Sequence, residues 1–173
     1  DLSDPIPTVV SLVGGTGISV TAVNDHVLIT AQQAAIYGQV YMQGNSTATT
    51  ISSTSTPVKV AGTWTVDLSG SFTGTTTGRL TYTGSSTQVC RVVASVTIDP
   101  TSGSNQNIAV YLAKNGSTIA GSKQEAFISH GSHMNMSCSW QLSLTANDYI
   151  EVFVQNSTAL NNITVSSAVL SIH

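Results

Sequence analysis

His130 and His133 stand three residues apart in SHGSHMN, a spacing that brings two imidazoles to one short loop or strand start. Neutral ring nitrogens so placed can hold a transition-metal ion, and repetition around a three-fold axis would multiply the ligands. No Cys or carboxylate lies close in sequence, however, and GSHM is ordinary polar loop material. His130 and His133 are therefore the metal-ligand candidates in a chain for which no metal or other cofactor is expected. His26, in a turn, and His173 read as solvated side chains.

Acid–base hydrolysis of a glycoside needs two carboxyl groups roughly 5 to 10 Å apart across a cleft. The chain has only eight Asp and Glu. Asp1 and Asp4 lie in the opening stretch, Asp99 precedes Pro100 in a turn, and Asp148 follows Asn147 at a strand start. Asp25, Asp67, Glu125 and Glu151 are dispersed, without an evident partner. Candidates for a Ser or Cys nucleophile with a His base are numerous, but no GxSxG elbow raises one above the others. Gly14, Gly15 and Gly17 suggest a phosphate cradle, yet no Lys-Ser/Thr pair follows and the next element reads as a strand. No catalytic residue is singled out, and the protein is not expected to be an enzyme.

The elements that would position such groups are strands almost everywhere. Of 173 residues, 40% are hydrophobic and only 8% charged, with much Ser, Thr, Asn and Gly, the balance of one all-β domain with neutral hydroxyl-rich faces. A net charge of -3 and five scattered Lys and Arg leave no basic stripe for nucleic acid. No run approaches 18 apolar residues, so membrane insertion is not expected. YGQVYMQ (37–43), TWTVDLSGSFTG (63–74), GRLTYT (78–83) and QVCRVVASVTI (88–98) alternate or nearly so. NIAVYLAKN, STIAGSKQEAFI, MNMSCSWQLSL, DYIEVFVQN and NITVSSAVLSI continue the series. DPTSGSNQ and KNGS supply turns, the latter with the Asn-Gly pair of a two-residue hairpin. Some eight to ten strands of this kind imply an antiparallel β-sandwich or jelly roll.

Period-two phase assigns the faces. Cys90, Val92, Ala94, Val96 and Ile98 should point inward, as should Met134, Met136, Cys138, Trp140, Leu142 and Leu144. Both cysteines are thus in phase with the core and read as free thiols, a disulfide remaining open. In DYIEVFVQN, Ile150, Val152 and Val154 form the core face, while Tyr149 and Phe153 flank Glu151 on the other. Tyr37 and Tyr41 likewise share the face opposite Val40 and Met42. So much aromatic area on second faces predicts self-association through Tyr37, Tyr41, Tyr149 and Phe153.

IYGQVYMQGNSTATTISSTSTPVKV, GRLTYTGSSTQVCRVVASVTI, YLAKNGSTIAGSKQEAFIS and LTANDYIEVFVQNSTALNNITVSSAVLSIH resemble the C-terminal head domains of phage and other viral fibre or structural proteins. Those heads are similar to trimeric jelly rolls of the complement and tumour-necrosis-factor superfamily. The resemblance covers residues 36–173, and implies a homotrimer with Tyr149 and Phe153 near its axis. GGTGISVT and VLIT, either side of a short turn, resemble hairpin units of phage tail fibres. In such a neck Ile18, Val20, Val27 and Ile29 are few for one chain, but three copies exclude water together. The expected organisation is a linker over 1–10, a β-hairpin neck over 11–35 and a jelly-roll head over 36–173. The opening DLSDPIPTVV reads as a cut inside a longer protein that joins other virion proteins through its N-terminus.

The expected function is attachment of a virion to a host-surface receptor or glycan, with GNSTATTISSTST and DPTSGSNQN as the contact loops. Capsid decoration and a secreted complement-like ligand are the competing roles. Sequons at Asn45, Asn115, Asn135, Asn156 and Asn162 separate them little, because Ser and Thr are abundant enough to supply such triplets by chance.

Overall fold

The computed structural model describes residues 18–23, 26–31 and 36–173. β1 (Ile18–Val23) and β2 (His26–Ala31) form an antiparallel hairpin with Val20 opposite Ile29 and Ala22 opposite Val27. The expected neck core of Ile18, Val20, Val27 and Ile29 concerns side chains outside the described residues, as does the linker over 1–10.

The second unit, Ile36–His173, is two antiparallel sheets face to face. Its strands run β3 (Gly38–Met42), β4 (Ala48–Thr49), β5 (Val58–Lys59), β6 (Thr65–Ser69), β7 (Phe72–Gly74), β8 (Leu80–Tyr82) and β9 (Gln88–Pro100). Then come β10 (Gln106–Lys114), β11 (Ser117–Thr118), β12 (Gln124–Ile128), β13 (Met134–Leu144), β14 (Tyr149–Asn156) and β15 (Ile163–Ile172). One sheet has the order β13-β9-β15-β3-β6, with β4 on β15. The other has β11-β10-β14-β8-β7, with β12 on β10 and β5 on β14. The chain changes sheet from β4 to β5, β5 to β6, β6 to β7, β8 to β9, β9 to β10, β12 to β13, β13 to β14 and β14 to β15, which is the winding of a jelly roll.

Alternation explains which residues lie between the sheets. Cys90, Val92, Ala94, Val96 and Ile98 of β9 face Ile108, Val110 and Leu112 of β10 and Ile150, Val152 and Val154 of β14, all buried. Each large apolar side chain among them contributes roughly 1.5 to 3 kcal/mol by leaving water. At KNGS the predicted two-residue hairpin is present, Lys114 opposite Ser117, with positive φ at Asn115 (52°) and Gly116 (78°).

Two expected strands are broken, each for a readable reason. TWTVDLSGSFTG divides at Gly70-Ser71, because β6 pairs with β3 while β7 pairs with β8 of the opposite sheet. Alternation records faces within a strand but not which sheet receives it. STIAGSKQEAFI divides at a 3-10 turn, Ala120–Ser122. There the buried Ser122 hydroxyl accepts from the Leu112 N–H at 2.9 Å and donates to the Ile119 carbonyl at 2.7 Å, replacing ladder bonds.

The inward assignment of β13 also needs correction. Met136, Cys138 and Leu144 are buried, but Met134 and Trp140 are exposed. β13 is the edge strand of its sheet, so its inward side is covered only where the opposite layer reaches it.

Candidate functional site

The four aromatic residues singled out for self-association fall on opposite outward faces. Tyr149 and Phe153 belong to β14, with Phe153 opposite Tyr111 of β10 and Lys59 of β5. Between the two rings on that face is Glu151, only 2% exposed. Its Oε1 accepts from Lys59 Nζ at 2.6 Å and Arg79 Nε at 3.1 Å. The Arg79 guanidinium lies 3.8 Å over the Tyr149 ring centroid, a cation–π contact that covers part of it. Beyond Phe153, the Tyr111 hydroxyl donates to Gln155 Oε1 at 2.7 Å, and Gln155 Nε2 donates to the Thr54 carbonyl at 2.6 Å. The subunit's own cations and the 44–56 loop thus cover much of this face, and Tyr149 and Phe153 are half-buried within one copy. Neither Lys59 nor Arg79 stands out in the sequence; a lone Glu amid apolar residues on a core strand is the signal that calls for such partners.

The outward face of the six-stranded sheet is different. Tyr37 is 41% exposed, Leu68 48% and Val169 38%. Val169 is opposite Tyr41, Leu68 is opposite Gln39 and Val93 is opposite Ser171, so these side chains form one neighbourhood across four strands. Gln39 Nε2 donates to Asp67 Oδ2 at 2.7 Å within it. Toward β13 the face becomes polar, with Asn135, Ser137, Ser139, Gln141 and Ser143 exposed in one phase. Val169 is hard to place from sequence because SSAVLSI breaks phase at a bulge between Val165 and Ser167.

At one end of the sandwich, Asp148 ties the β13–β14 turn to the β10–β11 hairpin. Its carboxylate accepts from the Thr145 N–H (2.8 Å) and hydroxyl (2.9 Å), the Asn115 amide (2.7 Å) and Lys114 Nζ (2.8 Å). Burial alone would raise its pKa, but these donors outweigh it and hold the group well below the usual carboxylate range. A depressed folded-state pKa gives stability that is complete above the unfolded value of about 3.9 and is lost as pH falls toward the folded one. Asp148→Asn is therefore expected to cost about 2 kcal/mol at neutral pH and to flatten the acid limb below about pH 4, read from urea midpoints across pH.

The chemistry-bearing candidates are dispersed. His130 is exposed, its Nδ1 2.8 Å from the Pro100 carbonyl and 3.7 Å from Asp99 Oδ2, and His133 is exposed too. Among the described residues no group of three or more His, Cys, Asp or Glu is placed to hold a metal ion. Cys90 and Cys138 are free and buried on adjacent strands, opposite Leu142 and Ala94 respectively. That offset of four residues separates them by roughly 13 Å, beyond disulfide reach. Burial pushes both thiols up, Cys138 to about 11 against a weaker lowering by a backbone hydrogen bond at Ala94, so neither supplies a thiolate at neutral pH.

Strand order and paired sheets define the class: an all-β jelly-roll sandwich. Solved structures similar to it include PRD1 vertex protein P5, 14% identical over 93% of this chain and 82% of that one, with a TM-score of 0.46. Eiger TNF from S. frugiperda is 17% identical over 79% and 90%, with a TM-score of 0.44. Murine APRIL is 11% identical over 79% and 98%, with a TM-score of 0.47. No family model and no curated protein matches the chain.

Proposed function

We propose that residues 36–173 are the head of a viral, phage-type fibre. In this reading three copies associate through the outward face of the six-stranded sheet, and the trimer binds a host-surface receptor of glycan type. Residues 1–10 serve as linker and 11–35 as a neck toward other virion proteins. The supporting observation is the exposed apolar neighbourhood of Tyr37, Leu68 and Val169, with Tyr41 and Val93, on a face whose other side chains are mostly hydroxyls and amides. An apolar group of this kind on a sheet face marks a contact surface.

Binding follows from multiplicity. Three weak sites on one rigid head act together on a repetitive polymer, so modest contacts become firm attachment. The 44–56 loop is built for such contacts, anchored at its middle and polar along its rim. Ile51 is buried and its N–H donates to Asn162 Oδ1 at 3.1 Å, while Ser52, Thr54, Ser55 and Thr56 remain exposed. Immunogold labelling of purified particles tests the assignment. Gold at fibre tips or vertices is expected, whereas gold spread evenly over the shell would assign decoration instead.

A further inference from the structure

We propose that the β13 edge of the six-stranded sheet pairs with the β13 edge of a second copy, antiparallel about a two-fold axis beside Cys138, so that one sheet runs through both copies. β13 spans eleven residues, Met134–Leu144, and has a neighbour, β9, on one side only. Its register is unbroken from Met134 opposite Ile98 to Leu144 opposite Gln88, and MNMSCSWQLSL holds no charge, proline or glycine. Such an edge is a template for another strand. The other edges are guarded. β6, at the far end of the same sheet, has five residues and carries Asp67, and β7 has three. β11 has two residues, and β12 has five with Glu125 among them. Shortness and charge keep edges from pairing, and β13 has neither.

Backbone parity fixes which groups β13 offers. The Arg91 N–H donates to the His173 carbonyl at 2.8 Å and the His173 N–H donates back at 3.0 Å, so the odd residues of β9 bond toward β15. The even residues of β9 therefore bond toward β13, and with Ala94 opposite Cys138 the even residues of β13 bond back. The N–H and C=O groups of Asn135, Ser137, Ser139, Gln141 and Ser143 point out of the sheet edge. Ser143 is capped, its carbonyl accepting from Lys114 Nζ at 2.8 Å. Asn135, Ser137, Ser139 and Gln141 are exposed, and their outward backbone groups have no hydrogen-bond partner among the described residues.

Those four residues set the register. Antiparallel pairing that uses all of them and stops short of Ser143 puts Asn135 opposite the partner's Gln141 and Ser137 opposite the partner's Ser139. Each such pair exchanges two backbone hydrogen bonds, and the side chains brought together are amides and hydroxyls without like charges. On the other phase the exposed Trp140 and Met134 come opposite the partner's Met136 and the partner's Leu142, apolar against apolar. A strand that complements itself in this way fits a second copy, because a two-fold contact uses the same patch on both sides. Made largely of backbone bonds, the contact is weak in dilute solution and takes hold where copies are held close together.

Sedimentation equilibrium of the full chain from about 10 μM to about 1 mM tests the pairing, and the weight-average mass of the parent should rise about twofold or more across that range. Ser137→Lys/Ser139→Lys sets lysines opposite each other and should weaken association about tenfold, whereas Ser137→Lys/Ser139→Glu alternates the charges across the axis and should restore it. Both positions are exposed, so the subunit accepts these changes. A constant parent mass overturns the contact and leaves the edge to a strand from another protein. Equal association by the two double variants overturns the pairing as well. Each mass is compared with that of the same protein in dilute solution, so a monomer that doubles and a trimer that doubles give the same answer, and the three-fold reading stands or fails separately.

Discussion

Replacing Lys59 and Arg79 together by methionine is expected to lower the free energy of unfolding by about 3 to 5 kcal/mol, whereas Glu151→Gln should cost only about 1 to 2 kcal/mol. The asymmetry follows from burial. Glu151 has a side chain 3% exposed, while those of Lys59 and Arg79 are 29% and 39% exposed. Removing the carboxylate leaves two cations that can turn into solvent, and glutamine still accepts a hydrogen bond from each. Removing the cations leaves an anion with neither water nor counter-charge, and the Arg79 cover over Tyr149 is lost as well. Urea denaturation of the three proteins at neutral pH decides between these outcomes. Equal losses, or a larger loss for Glu151→Gln, would mean that the carboxylate does not depend on these cations.

The same cluster shows what a sequence discloses. Alternation in QVCRVVASVTI and DYIEVFVQN places Val92, Val96, Ile150 and Val152 correctly in the core, because the period of a strand is local chemistry written residue by residue. The Asn115-Gly116 turn is equally legible, since few residue pairs accept positive φ in succession. What stays hidden is everything set by the meeting of distant segments. Lys59 and Arg79 reach Glu151 from 92 and 72 residues away. Trp140 carries the phase of a core residue and is exposed only because β13 lies at an edge. Likewise Tyr37 and Tyr149 look alike as aromatics on second faces, yet one sheet offers its ring to solvent and the other covers it with an arginine.

That distinction decides where the proposed three-fold axis would run, and Val169→Glu is the variant that exposes it. The parent protein is expected to sediment as a trimer at micromolar concentration, and Val169→Glu as a folded monomer. Three carboxylates brought together at a desolvated axis cost several kcal/mol, raising the dissociation constant about a thousandfold or more. A residue already 38% exposed accepts the change without harm to the single subunit. Phe153→Glu is the comparison, because Phe153 is on the opposite outward face, where it neighbours Tyr111 and Lys59. Patches that face in opposite directions stack copies by translation, whereas a closed three-fold ring needs them inclined at about 60° to each other. If Phe153→Glu dissociates the trimer and Val169→Glu leaves it intact, the axis runs beside β14; if the parent itself is a monomer, the exposed rings have another partner and the trimeric head is excluded.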